Sequence, residues 1–119
     1  MGWRVDFYVE DDDTAPVEGF LDSLPDRVRA KALAIIKLLE KEGPHLPFPY
    51  SSQVQGPIRE LRTQYGKEHV RILYFGDPER VFVLLHGIIK RSKKLDPLEV
   101  RRAQGRMEAH LARPRRNRK

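Results

Sequence analysis

An α+β fold, an antiparallel sheet with helices packed on it, is predicted by three features of the sequence. Apolar and polar residues alternate near the N-terminus, two segments then repeat apolar residues at helical spacing, and three short β-branched and aromatic runs follow between tight turns. The element order read from them is β-α-α-β-β-β-α. With 119 residues and 13.9 kDa the chain has room for one compact domain. We place that domain at 1–112 and expect 113–119 to be a basic, disordered tail.

Trp3, Val5, Phe7 and Val9 alternate with Arg4, Asp6, Tyr8 and Glu10, the period of a half-buried strand, and the acids Glu10 to Asp13 end it. Thr14 is placed to cap a short helix with Pro16 in its first turn and Val17, Phe20, Leu21 and Leu24 on one face. Ser23 and Asp26 around Pro25 mark a second helix start. Its stripe is Val28, Ala32, Ile35, Ile36 and Leu39, and Gly43-Pro44 stops it, so the two helices form a hairpin. The proline-rich stretch from Pro44 to Pro57 reads as a connecting loop anchored by Leu46, Phe48 and Tyr50. Strands are expected over 58–64, 69–75 and 80–86, with turns at 65–68 and 76–79. After the basic run Lys90 to Lys94, Asp96 with Pro97 and Glu99 opens a last helix whose apolar stripe is Val100, Ala103, Met107 and Leu111.

Charge is placed unevenly. Residues 1–56 hold 6 Lys/Arg against 10 Asp/Glu, and residues 57–119 hold 17 against 7. A half-chain at +10 points to a polyanionic partner. The absence of cysteine excludes a disulfide scaffold, a thiolate zinc site and a cysteine nucleophile. The histidines are scattered without ligand spacing, and no glycine-rich phosphate loop occurs, so neither a metal nor another cofactor is expected. No apolar run approaches the ~18–20 residues of a membrane span, and the N-terminus does not read as a signal peptide. A cytoplasmic protein with no membrane partner is the expectation.

Strand register brings specific charges together. A first hairpin pivoting between Gly66 and Lys67, and a second between Asp77 and Pro78, put Leu61, Thr63, Val70, Ile72, Tyr74, Val81, Val83 and Leu85 on one face. The other face carries Glu60, Arg62, His69, Arg71, Leu73, Phe82, Leu84 and His86. There Arg62 faces Arg71 and His69 faces His86. Like charges directly opposed cost up to ~1 kcal/mol, which either Glu60 or a bound anion would relieve. Guanidinium pairs suit phosphate by their bidentate geometry.

The segments Glu60-Leu61-Arg62, Val70-Arg71-Ile72-Leu73-Tyr74-Phe75, Leu84-Leu85-His86-Gly87, Lys90-Arg91-Ser92-Lys93-Lys94 and Asp96-Pro97, taken in order, resemble the phage-derived Gp49-like proteins. These go with the HigB-type toxins of the RelE/ParE superfamily. The resemblance covers roughly residues 3–112 and implies a RelE-like fold and the toxin of a type II toxin–antitoxin pair. It also implies a metal-independent, ribosome-dependent mRNA endoribonuclease, with mRNA and the ribosome as partners and a helix-turn-helix antitoxin as inhibitor. In that chemistry the RNA 2′-oxygen attacks the adjacent phosphorus, leaving a cyclic phosphate and a 5′-hydroxyl.

By position, the resemblance makes Arg62 and Arg71 the stabilisers of the phosphorane and gives Lys90 a place in the catalytic set. His86 is the first choice for acid–base work because histidine titrates near neutral pH, with His69 its partner. His69, Arg91, Lys93 and Lys94 are expected to bind RNA. Three departures stand out: Ile88 follows Gly87 where relatives carry an aromatic, Arg91 stands where lysine is commoner, and the chain ends in arginine, asparagine and lysine where some relatives have an aromatic or histidine. Two alternatives use the same fold, a non-catalytic RNA- or ribosome-binding module and a ParE-type inhibitor of DNA gyrase.

Overall fold

The computed structural model describes residues 3–114. In chain order these form β1 (Arg4–Phe7), α1 (Pro16–Asp22), α2 (Asp26–Glu42), a single 3-10 turn (Gly43–His45), β2 (Ser51–Gln55), β3 (Ile58–Tyr65), β4 (Glu68–Asp77), β5 (Val81–Lys90) and α3 (Pro97–Ala112). One five-stranded sheet has the order β1-β5-β4-β3-β2. The four strands from β2 to β5 run antiparallel, while β1 returns to the far edge parallel to β5. The α+β class, the helical hairpin and the C-terminal helix are as the sequence predicts. No helix among the described residues is long and apolar enough to cross a membrane.

The sheet is covered on both faces. On one, Val17, Leu21, Val28, Ala32, Ile35 and Leu39 of the helical hairpin bury Leu61, Val70, Ile72, Tyr74, Phe82 and Leu84. On the other, Ala103 and Met107 of α3 pack on Leu73, Phe75, Val81, Val83 and Leu85. Each deeply buried aliphatic or aromatic side chain contributes about 1.5–3 kcal/mol, so both layers are needed. Two glycines mark close approaches. Gly43, at φ +62°, ends α2 where a Cβ would come within 3.1 Å of the Trp3 ring, and at Gly87 a Cβ would lie 2.2 Å from Phe20 of α1.

Helix ends differ in how they are held. Asp96 caps α3, its carboxylate accepting the Leu98 N–H at 2.9 Å. Thr14 does not cap α1. Its N–H and hydroxyl are both taken by Asp12 Oδ1, at 3.0 and 2.7 Å, and Ala15 stands at the cap position. Leu111 is exposed, and the last turn of α3 instead buries His110 against Asp77. Arg113 is also placed, its guanidinium over the Tyr8 ring and 3.4 Å from Asp11. The rest of the expected tail, residues 115–119, lies outside the described residues.

Two further expectations require correction. Ser51–Gln55, read as loop, is strand β2. Its sequence Ser-Ser-Gln-Val-Gln has one apolar residue, so period-two hydrophobicity is missing and pairing with β3 creates it. Buried Ser51 holds the hydroxyl of buried Tyr74 at 2.7 Å. The second hairpin is the other. The first keeps the expected register, with Leu61 opposite Ile72 and Arg62 opposite Arg71. The second pairs Asp77 with Val81, a shift of three residues, so Val81, Val83 and Leu85 face α3 and Phe82 and Leu84 face the helical hairpin. A bulge then skips Leu85, and beyond it the shift is four. An even shift restores the face but changes the partner. His86 therefore lies opposite Leu73, and His69 lies opposite Lys90.

Candidate nucleic-acid interface

The face of the sheet that carries Arg62 and Arg71 is divided between a half covered by α3 and a half left open. In the open half a single carboxylate serves both arginines. Glu60 lies 3.0 Å from the Arg62 guanidinium and 3.6 Å from that of Arg71, and Ser52 donates to it at 2.8 Å. Arg71 is only 6% exposed and donates from one terminal nitrogen to its neighbour's carbonyl, Val70 O, at 3.0 Å. Burial, and after it the Arg62 charge, push the Arg71 guanidinium below its ordinary value, while Glu60 pulls the other way. Arginine stays protonated regardless. Two cations against one carboxylate leave a surplus positive charge, and the buried Nε of each arginine has no hydrogen-bond partner among the described residues. The exposed ring of Phe48 lies under Arg62, 5.2 Å from its guanidinium carbon.

Two clefts meet at Arg71 and share it and His69, while Arg62 lines only the first. One, of about 500 Å³, runs over the edge of β3 to α2, with Lys31, Arg62 and Gln64 beside Ala34, Leu38, Pro49 and Tyr50. The other, of about 480 Å³, is walled by Lys67, Lys90, Arg91, Ser92 and Lys93. The basic run therefore stands where β5 leaves the sheet, as the sequence suggests. Arg62, Arg71, His69, Lys90, Arg91 and Lys93 come together. Lys94 lines neither cleft.

His86 is turned to another task. It shares the sheet face of Arg71 but lies in the half closed by α3, lines neither cleft, and does not face His69. Its Nε2 is 2.5 Å from Glu99 Oε1 and its Nδ1 is 3.0 Å from an Arg106 nitrogen. Arg106 must donate, so the neutral ring carries its proton on Nε2 and gives it to Glu99. Arg106 also reaches Leu85 O at 2.9 Å and Glu10 at 3.3 Å, tying α3 to β5 and to the end of β1. Burial pushes His86 below its ordinary value, against the opposing pull of Glu99. Among the described residues no three His, Asp, Glu or Cys side chains gather as a metal site would need. Phe48 and Tyr50, which the sequence suggests only as loop anchors, are both exposed beside a basic cleft and so belong to the site as well.

The model of the family of phage-derived Gp49-like proteins matches residues 19–108. The chain belongs to the Gp49-like family. A Mycobacterium tuberculosis (strain ATCC 25618 / H37Rv) protein whose name calls it a toxin, HigB2, is 31% identical over 90 residues, covering 71% of this chain. This Gp49-like chain aligns with 41% of the length of that relative. Among solved structures, the archaeal RelE–RelB complex from Pyrococcus horikoshii OT3 contains a chain that superposes with a TM-score of 0.50. It is 20% identical and covers 79% of this chain and 100% of its own, a likeness of fold. The Gp49-like match takes in α2, the whole β2–β5 unit and most of α3, so both arginines and both clefts lie inside it.

Proposed function

We propose that this Gp49-like protein is the toxin of a type II toxin–antitoxin pair and a metal-independent endoribonuclease acting on mRNA at the ribosome in the cytoplasm. The observation that carries the reading is the Arg62–Arg71 pair, opposed across β3 and β4 with one carboxylate between them, Arg71 standing where two basic clefts meet. A surplus of preorganised positive charge is what a phosphorane requires, since charge grows on its oxygens as the 2′-oxygen attacks the phosphorus. Arg62 and Arg71 stabilise that charge and Lys90, Arg91 and Lys93 hold the flanking phosphates.

Proton transfer falls to His69 and Lys90, which stand opposite each other across β4 and β5 beside Arg71. His86, with both ring nitrogens occupied, positions α3 over the sheet. The name of the mycobacterial relative supports the toxin reading, and the archaeal complex, a RelE bound to a RelB, supports a dedicated protein partner; the family resemblance adds that this antitoxin is of the helix-turn-helix type.

The test uses purified protein added to ribosomes translating a defined transcript, with capture of new 5′-hydroxyl ends. Cleavage of the translated message, sparing the same RNA free in solution, is the expected result. Absence of new ends, together with DNA breakage in expressing cells, would replace the reading with a gyrase-directed one.

A further inference from the structure

The two clefts at Arg71 have walls of different chemistry. The one toward Lys90 to Lys93 is walled by cationic side chains with His69 and Ser92, and no aliphatic or aromatic residue lines it. The one toward α2 sets Ala34, Leu38, Pro49 and Tyr50 opposite Arg62 and Arg71. It opens because β2 stops short. The last β2–β3 pair is Ser51 with Leu61, and Tyr50 O still accepts the Arg62 N–H at 2.9 Å. From Thr63 onward the β3 edge has no strand beside it among the described residues. An aromatic ring and a helix face thus flank an under-compensated guanidinium pair, Arg71 buried and Arg62 partly exposed, in about 500 Å³, within the usual size range of a small-molecule site. A phosphate alone needs no apolar wall. A phosphate attached to a flat, partly apolar ring does.

We infer that this cleft is a nucleobase pocket. The base next to the phosphate held by Arg62 and Arg71 enters between Tyr50 and the Ala34–Leu38 face of α2, and the sugar-phosphate backbone continues over Lys90 and Lys93. The ligand is single-stranded, because a paired base cannot be splayed into a side pocket. The inference rests on reading this face as the RNA site, and it deepens that reading by giving the bound strand a fixed orientation.

The probes are inorganic phosphate, adenosine 3′-monophosphate and uridine 3′-monophosphate, titrated into the full chain while amide shifts are followed by NMR. Either nucleotide is expected to bind at least tenfold more tightly than phosphate and to shift Ala34, Leu38 and Tyr50. Tyr50→Ala removes about tenfold of nucleotide affinity and leaves phosphate affinity unchanged. Ala34→Trp does the same by filling the pocket, and Ala34 is exposed, so the core is not disturbed. Equal affinity for phosphate and nucleotide overturns the pocket, as do variants that fold normally and bind nucleotide undiminished. RNA cleavage by a protein whose nucleotide affinity ignores Tyr50 would remove the pocket and leave the nuclease. Base-dependent binding without cleavage would do the reverse.

Discussion

The open and the closed halves of one sheet face use the same residue types to opposite ends. Under α3, His86 is bonded on both ring nitrogens and His110 is buried against Asp77 at 3.1 Å. Arg106 there is bonded to a carbonyl and paired with Glu10. Beyond α3, Arg62 and Arg71 share one carboxylate, and each keeps a buried donor without an acceptor. What separates structure from function here is how far each polar group is satisfied by the fold itself. A saturated network locks a helix in place, and an unsaturated one leaves positive charge uncompensated, which on the proposed reading the phosphate of RNA would answer.

The comparison breaks first at the arginines. Replacing both Arg62 and Arg71 by alanine should lower transcript cleavage by about 10²–10³-fold or more, the usual loss for a preorganised donor to a transition-state oxyanion. The chain should still fold, as circular dichroism can verify.

The closed half should answer in stability instead. His110→Ala leaves the buried Asp77 carboxylate without its imidazole partner, though still accepting the Glu79 N–H, and should cost about 2–4 kcal/mol in urea unfolding. Arg62→Ala, at a half-exposed position, should cost less.

Glu60→Gln sharpens the contrast, because it deepens the surplus of charge in the open half while keeping shape. Stability should fall by about 1–3 kcal/mol, and phosphate should raise the melting temperature more than it does in the unsubstituted protein. An unchanged response to phosphate would mean that the pair is not the anion site.

The smallest effect concerns pH. His86 is held below its ordinary value when folded, so at mildly acid pH the unfolded chain takes up a proton there that the folded one resists. The contribution is present above the unfolded value near 6.5 and is lost as pH falls through it toward the folded value. The free energy of unfolding should therefore decline less steeply from pH 7.5 to 5 for His86→Gln than for the unsubstituted chain, as urea titrations at each pH can measure.

The alternation of β1, the two helical stripes, the Gly43 stop and the Asp96 cap could be read from the sequence because each is a local rule with a local cause. The first hairpin register was also legible, since Gly66, at φ +60°, fixes its turn, and this placed Arg62 opposite Arg71. The second hairpin was not. Its turn takes Arg80 to φ +66° and its strand bulges at Leu85, and neither position carries a glycine or other local signal. His86 thus kept its expected face but lost its expected neighbour. Strand β2 and the burial of His110 depend on partners distant in sequence, Tyr74 and Asp77, and no window of residues contains both members.

The most direct measurement maps new 5′-hydroxyl RNA ends across the transcriptome after a brief pulse of expression, for the unsubstituted protein, Arg62→Ala/Arg71→Ala and His86→Gln side by side. The account predicts ends inside translated frames that vanish with the arginines and persist without His86. Ends that survive the double alanine, or that disappear when a stably folded His86→Gln chain is expressed, would contradict it.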